Sequence, residues 1–122
     1  MADKIRVGVI GTGFGAAVQI PGFKESGDFE VVAVCSAREE RARATASRFG
    51  IPHYYANYKE MLTLKELDLV TVAAPTHLHY PMTMDALRAG KHVLCEKPMA
   101  LNLRQAKAML RLAREKRLAH MV

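Results

Sequence analysis

The sequence predicts a doubly wound α/β fold, in which helices cover both faces of a parallel sheet of about six strands. Short apolar runs alternate with stretches of helical spacing along the whole chain. The apolar runs are nearly continuous, which is typical of parallel strands that are buried on both faces. A length of 122 residues is enough for one domain with a single core. We therefore expect three layers, α/β/α, with right-handed crossovers between the strands.

The strands are predicted from the apolar runs. They are expected at residues 5–10, 30–35, 53–56, 67–74, 91–95 and 118–122. The second run is rich in β-branched residues, which favours a strand over a buried helix.

The first two helices have boundary signals in the sequence. Pro21 should break or kink the stretch that follows the first strand, and Gly27 should end it. Ser36 stands three residues before Glu39, which is the spacing of a capping box at a helix start. Gly50 should close that second helix.

The remaining helices are signalled in the same way. Asn57 with Glu60 repeats the capping pattern, Pro81 suits a first helical turn that Gly90 follows at the far end, and Asn102 should cap the last helix. These three helices are expected to run to Leu64, Gly90 and about Arg117.

The net charge of +6 raises the question of nucleic-acid binding. Helical spacing places four basic residues on one face of the last helix and four apolar residues on the other. These are Arg104, Lys107, Arg111 and Arg114 against Leu103, Ala106, Leu110 and Ala113. Aromatic residues are not interleaved with this charge, and helix-turn-helix and zinc patterns are missing from the sequence. We expect a solvated face and no nucleic-acid partner.

The sequence also bears on compartment and on metal binding. An apolar run of only six residues follows the N-terminus, so we expect neither a signal peptide nor a membrane span, and a cytoplasmic protein. Cys35 and Cys95 each end an apolar run and are expected to be buried small hydrophobes. The histidines lack a metal-ligand arrangement with suitable partners, so no metal site is predicted.

A glycine fingerprint follows the first strand directly. It consists of Gly11, Thr12, Gly13, Phe14, Gly15 and Ala16. In a Rossmann-type dinucleotide site, Gly11 allows the tight turn, Gly13 lets the backbone approach a pyrophosphate, and Ala16 allows close packing of helix on strand. The alternative is a plain tight turn that needs glycine. The surrounding alternation of strands and helices favours the dinucleotide site.

The end of the second strand bears on the choice of cofactor. An acidic residue there binds the adenosine ribose of NAD, but this chain has Ser36, followed by Arg38 and Arg41. Two guanidinium groups suit a 2′-phosphate, so we expect a preference for NADP. NAD remains open, since Ser36 alone would suit a helix cap and Glu39 or Glu40 could serve the ribose.

Two further stretches carry a family resemblance, Ala73 to His79 and Cys95 to Ala100. Together with the glycine fingerprint, they resemble the N-terminal domain of the glucose-fructose oxidoreductase and inositol dehydrogenase family, Gfo/Idh/MocA. The resemblance covers the whole chain, and its most specific part is Glu96-Lys97-Pro98. The family commonly has Asn where this chain has Thr76.

The resemblance implies an NAD(P)-dependent oxidoreductase acting on a sugar-like or polyol-like substrate. Lys97 would face the nicotinamide and bind the reacting oxygen, and Glu96 would place the lysine and the cofactor. Physical reasoning supports the lysine, since an ammonium beside that oxygen stabilises negative charge or relays the proton. The resemblance places Ala74, Pro75, Thr76 and His79 beside the cofactor. For His79, a local hydrogen bond is the equal alternative.

The resemblance also implies a second domain. Related proteins continue into a larger sheet domain that shapes the substrate pocket, so this chain is expected to be a truncated piece. We expect it to bind cofactor weakly and to turn over little or no substrate, because the groups that orient the substrate lie elsewhere. Exposed apolar surface near the last strand favours a homodimer. A non-catalytic dinucleotide sensor is the alternative function, although a sensor has no need for Lys97.

Overall fold

The computed structural model describes residues 3–13 and 15–122. Its described residues form a six-stranded sheet with the order β3-β2-β1-β4-β5-β6, in which every neighbouring pair is parallel. The strands are β1 Ile5–Ile10, β2 Phe29–Cys35, β3 His53–Tyr55, β4 Leu69–Val72, β5 His92–Cys95 and β6 His120–Met121. The predicted fold class is therefore confirmed, with strand bounds close to the apolar runs.

The helices follow the strands in alternation. They are α1 Ile20–Ser26, α2 Glu39–Phe49, α3 Tyr58–Met61, α4 His79–Arg88 and α5 Leu103–Lys116. A π-helical turn, Gly15–Gln19, precedes α1, and a short 3-10 turn, Thr76–Leu78, precedes α4. Pro21 lies at the start of α1, where the first helical turn does not need its missing N–H.

The two faces of the sheet bury separate clusters of side chains. Ile20 of α1 and Ala46 of α2 pack with Val7 and Val9 on one face. The other face carries α3, α4 and α5. Its cluster includes Met61, Leu87 and Met109 together with Ile10, Val70 and Val93 of the sheet. Helices on both faces make the arrangement doubly wound, as the sequence predicted.

Most of the predicted helix boundaries are confirmed. Gly27 and Gly50 end their helices in the left-handed conformation, at φ of 81° and 66°. Asn102 caps α5 by accepting from the N–H of Gln105 at 2.9 Å. Asn57 caps α3 by accepting from the N–H of Lys59 at 2.9 Å. That helix ends at Met61, three residues before the predicted end.

The capping box predicted for Ser36 and Glu39 is wrong. Helix α2 begins at Glu39, and Arg38 occupies the N-cap position in an extended conformation. The N–H of Ser36 donates to the carbonyl of Tyr55 at 3.1 Å, so Ser36 still continues the sheet. Its hydroxyl accepts from the N–H of Arg38 at 3.3 Å. The helix cannot begin at a residue that the neighbouring strand holds.

The faces of α5 differ partly from the prediction. Its four basic residues are exposed, as expected. On the opposite side, however, Met109 and Ala113 form the buried contact, while Leu103 and Leu110 are 69% and 43% exposed. Helix α5 packs on α4, and Met109 and Ala113 belong to the core cluster that contains Val93 of β5, which leaves Leu103 and Leu110 at the margin of the helix contact.

Other predicted features concern cysteines and long apolar helices. Cys35 and Cys95 are both buried free thiols, as predicted. Burial raises the pKa of the Cys35 thiol to about 11. Among the helices in residues 3–13 and 15–122, none combines the length and apolarity needed to cross a membrane. The same residues bring together no group of three metal-binding side chains.

Candidate cofactor-binding site

A cavity of about 430 Å³ opens at the carboxyl edge of the sheet. The strand order reverses between β1 and β4 at this edge, where open α/β sheets bind their ligands. Residues from four neighbouring strand ends and from α2, α3 and α4 line the cavity. They are Ile10, Gly11, Thr12, Gly13, Cys35, Ser36, Ala37, Arg41, Ala56, Asn57, Tyr58, Ala73, Ala74, Pro75, Leu78 and Met82.

Gly11 directly follows β1 and lines the cavity. Its φ of 119° is unfavourable for any residue with a side chain, and a Cβ there would lie 2.6 Å from the carbonyl oxygen of Ala73. Its N–H donates to the carbonyl of Cys35 at 2.9 Å. Gly11 thus lets the chain leave β1 between two neighbouring strands, and this glycine is required by the fold itself.

Gly13 differs from Gly11 in its surroundings. A Cβ at Gly13 would meet no described atom within 4 Å, and its φ lies outside the left-handed region. The described protein packing therefore does not require glycine here, whereas the open space beside it belongs to the cavity. Phe14, and the burial of Gly15 and Ala16, lie outside the described part of the chain.

Residues that follow β2 and β3 lie at one end of the cavity. Ser36 and Arg41 lie there, and Arg41 is one turn into α2. Arg38 is exposed at the N-cap of that helix. Asn57 and Tyr58 complete this end, and sequence reasoning did not place them in the site. The signal for them was available, because they directly follow β3 and parallel strands end at one edge.

Tyr58 is fixed by a partner outside the cavity. Its hydroxyl donates to a carboxylate oxygen of Asp85 at 2.6 Å, which ties α3 to α4. Burial, followed by the hydrogen bond to Asp85, raises the pKa of Tyr58 to about 12. The phenol stays protonated at neutral pH and can donate this hydrogen bond. Asp85 therefore holds Tyr58 in place where it lines the cavity.

The other end contains the first family stretch. Ala74 and Pro75 line the cavity, and Thr76 begins the 3-10 turn. His79 is 2% exposed, with Nδ1 2.7 Å from the carbonyl oxygen of Pro98 and Nε2 2.7 Å from that of Ala74. The ring therefore bridges the loop after β4 and the loop after β5, with both nitrogens facing protein carbonyls.

Glu96 and Lys97 follow β5, one strand further along the same edge. The N–H of Glu96 donates to the carbonyl of Val72 at 3.0 Å, which fixes the start of the loop. The Glu96 carboxylate accepts from Nε2 of Gln19 at 2.6 Å, and Lys97 is exposed. The sequence carried no signal for Gln19, because the two residues are 77 positions apart.

The comparison with protein families decides the relationship. Residues 5–122 match the model of the Gfo/Idh/MocA oxidoreductase family, described as an NAD-binding Rossmann fold. The chain belongs to this family. The resemblance predicted from the glycine fingerprint and the Glu-Lys-Pro stretch is thus confirmed, and the described chain is the family's NAD(P)-binding domain.

Individual relatives agree with this assignment. The chain is 38% identical to the D-glucoside 3-dehydrogenase of Escherichia coli K12 over 115 residues, which cover 93% of this chain and 33% of the enzyme. It is also similar to the solved structure of KijD10, a 3-ketoreductase from Actinomadura kijaniata in complex with NADP and TDP-benzene. The identity is 38% and the TM-score 0.90, over 95% of this chain and 36% of that one.

A second solved structure holds the other cofactor. The WlbA dehydrogenase from Bordetella pertussis, in complex with NADH and UDP-GlcNAcA, is 28% identical with a TM-score of 0.89. The match covers 97% of this chain and 35% of that one. The chain thus spans about a third of the length of the relatives it matches.

Proposed function

We propose that the chain binds NADP(H) in the cavity at the carboxyl edge and serves hydride transfer to or from a sugar-like or polyol-like substrate. The observation that carries the cofactor site is the open space at Gly13, above a turn that Gly11 fixes at the strand-order reversal. A pyrophosphate needs such close approach to the backbone. Family membership supports the hydride chemistry, which nicotinamide supplies when it is bound.

Arg41 supports the preference for NADP. Among the described residues that line the cavity, Arg41 is the arginine, and Ser36 lines the same cavity where a carboxylate would disfavour a 2′-phosphate. Relatives do not decide between the cofactors, since the structure of KijD10 holds NADP and that of WlbA holds NADH. The sequence prediction named Arg38 and Arg41 together, and the geometry favours Arg41.

Replacing Arg41 with alanine should weaken NADPH binding by about tenfold, because it removes one charged hydrogen-bonding partner of the 2′-phosphate. NADH binding should change by less than about twofold, since its ribose carries no phosphate at that position. Calorimetric titration of each variant with both cofactors measures this difference.

The matched control for Arg41 is Arg38→Ala, which removes the same charge from the exposed N-cap position. Equal losses in the two variants would point to long-range attraction rather than a specific contact. A large loss in Arg38→Ala alone would move the 2′-phosphate to that residue and overturn the assignment to Arg41.

Lys97 and Glu96 carry the proposed chemistry. Lys97 is exposed at the carboxyl edge, where an ammonium group can donate a proton to the reacting oxygen of a substrate or accept one from it. Glu96 directly precedes Lys97, and its N–H donates to the carbonyl of Val72. Because orientation of the substrate is a large part of the barrier, we expect this chain alone to show little or no turnover. The names of the relatives, a glucoside dehydrogenase and a 3-ketoreductase, favour a sugar-like substrate.

A homodimer is a further part of the proposal. Met121 and Val122 are 46% and 61% exposed beside the last strand, and Leu103 is 69% exposed on α5. Such apolar surface favours self-association. Sedimentation velocity at rising protein concentration should show a dimer, and Met121→Lys should shift it towards monomer. A monomer at all concentrations would contradict this expectation.

A further inference from the structure

A chain of three polar side chains crosses from the buried sheet to the loop that carries Lys97. The hydroxyl of Thr71, which is 0% exposed in β4, donates to Oε1 of Gln19 at 2.6 Å. Nε2 of Gln19 donates to a carboxylate oxygen of Glu96 at 2.6 Å. Gln19 ends the π-helical turn that follows the glycine fingerprint. The chain therefore connects the glycine-fingerprint segment with the loop after β5.

The chemistry of these groups permits one arrangement. An ionised carboxylate only accepts hydrogen bonds, so the NH₂ group of Gln19 must face Glu96. Its carbonyl oxygen then faces Thr71, whose hydroxyl must donate. The hydrogen bond to Glu96 involves a charged acceptor and belongs to the stronger class. Each group restricts the next, and the carboxylate is held in one direction.

We propose that Gln19 is a positioning residue for Glu96, which sets the loop of Glu96 and Lys97 against the nicotinamide end of the cofactor. This inference rests on the proposed function. Gln19 and Glu96 are both half-buried at the carboxyl edge, whereas Thr71 is fully buried in β4. The buried hydroxyl thus anchors an amide whose far end reaches the proposed site. Gln19 acts through Glu96 and needs no contact with the cofactor.

The test compares the binding of the whole cofactor with the binding of a fragment that lacks the nicotinamide end. NADPH carries nicotinamide, whereas 2′-phospho-ADP-ribose contains the same adenosine and pyrophosphate without it. Gln19→Leu keeps a side chain of similar size and removes both hydrogen bonds. We expect this variant to bind NADPH about fivefold more weakly. The hydrogen bond from Gln19 to the Glu96 carboxylate is missing, and with it part of the stabilisation of the complex. Its affinity for 2′-phospho-ADP-ribose should be unchanged, as measured by calorimetry on the 122-residue chain.

Two further variants show the route of the effect. Thr71→Val removes only the hydroxyl that orients the amide, and it should lower NADPH affinity by about twofold. In Glu96→Ala, the added Gln19→Leu change should have no further effect on NADPH binding, because a residue that acts through another is silent in its absence. Arg41→Ala is the control at the adenosine end of the cofactor, since it should weaken the binding of NADPH and of 2′-phospho-ADP-ribose equally.

The outcomes distinguish failure of the inference about Gln19 from failure of the proposed function. Equal losses for NADPH and 2′-phospho-ADP-ribose in Gln19→Leu would make Gln19 a merely structural residue and overturn the inference. Unchanged binding of both ligands, or full additivity with Glu96→Ala, would do the same. If the wild-type chain binds the two ligands equally well, the nicotinamide is not held and the inference also fails. Failure of the wild-type chain to bind either ligand would overturn the proposed function itself.

Discussion

Replacing Gly13 with valine is expected to abolish cofactor binding and to leave the fold intact. Gly13 lines the cavity, and its new Cβ would meet no described atom within 4 Å, so the side chain would take space where the pyrophosphate should approach the backbone. We expect the affinity for NADPH to fall by at least about a hundredfold, because a branched side chain occupies the ligand's volume. The midpoint of thermal unfolding should shift by less than about 3 °C, since no described atom is displaced.

A matched control for this variant is Gly22→Val. Gly22 is exposed in α1, and a Cβ there also meets no described atom within 4 Å. This variant should bind NADPH as the wild type does. Wild-type affinity in Gly13→Val would mean that the dinucleotide does not approach this turn, and the cavity would then have another occupant.

Replacing Gly11 with alanine is expected to have the opposite effect and to destabilise the fold itself. Its φ of 119° is strained for alanine, and the new Cβ would lie 2.6 Å from the Ala73 carbonyl oxygen, a backbone atom that cannot rotate away. The strained backbone and the contact together should lower the free energy of unfolding by roughly 3–5 kcal/mol. Urea denaturation followed by circular dichroism measures this loss.

The control separates backbone strain from steric contact. Gly27 also has a positive φ, 81°, but a Cβ there meets no described atom within 4 Å. Gly27→Ala should therefore cost only about 1–2 kcal/mol, the usual cost of a left-handed conformation. If Gly11→Ala lowered the free energy of unfolding by no more than Gly27→Ala does, the contact with Ala73 would be relieved, contrary to the structure.

Local patterns in the sequence were sufficient to predict most of the fold. Buried parallel strands are apolar almost throughout, so Ile5–Ile10 was predicted at its observed bounds. Gly27 and Gly50 ended helices where the left-handed conformation excludes most other residues. The Ser36 capping box failed for a non-local reason. The carbonyl of Tyr55 on β3 holds Ser36 in the sheet, and a pattern of four residues carries no information about a strand that follows later.

The candidate site was predictable where it follows from the carboxyl edge of the sheet. Gly11, Gly13 and Ser36 line the cavity as the fingerprint and strand ends implied. The structure was needed to show that Arg41 lines the cavity whereas Arg38 is the N-cap, because both positions depend on where α2 begins. The pairing of Gln19 with Glu96 depends on side-chain directions across 77 residues of sequence. Periodicity and spacing do not encode such a contact.

The central claim is that this chain binds a dinucleotide at the carboxyl edge, and titration of the wild-type chain with NADPH and NADH tests it most directly. Calorimetry, on protein shown by circular dichroism to be folded, should give saturable binding of NADPH and weaker binding of NADH. Gly13→Val should abolish both. A folded chain that releases no saturable heat with either cofactor at millimolar concentration would contradict the account.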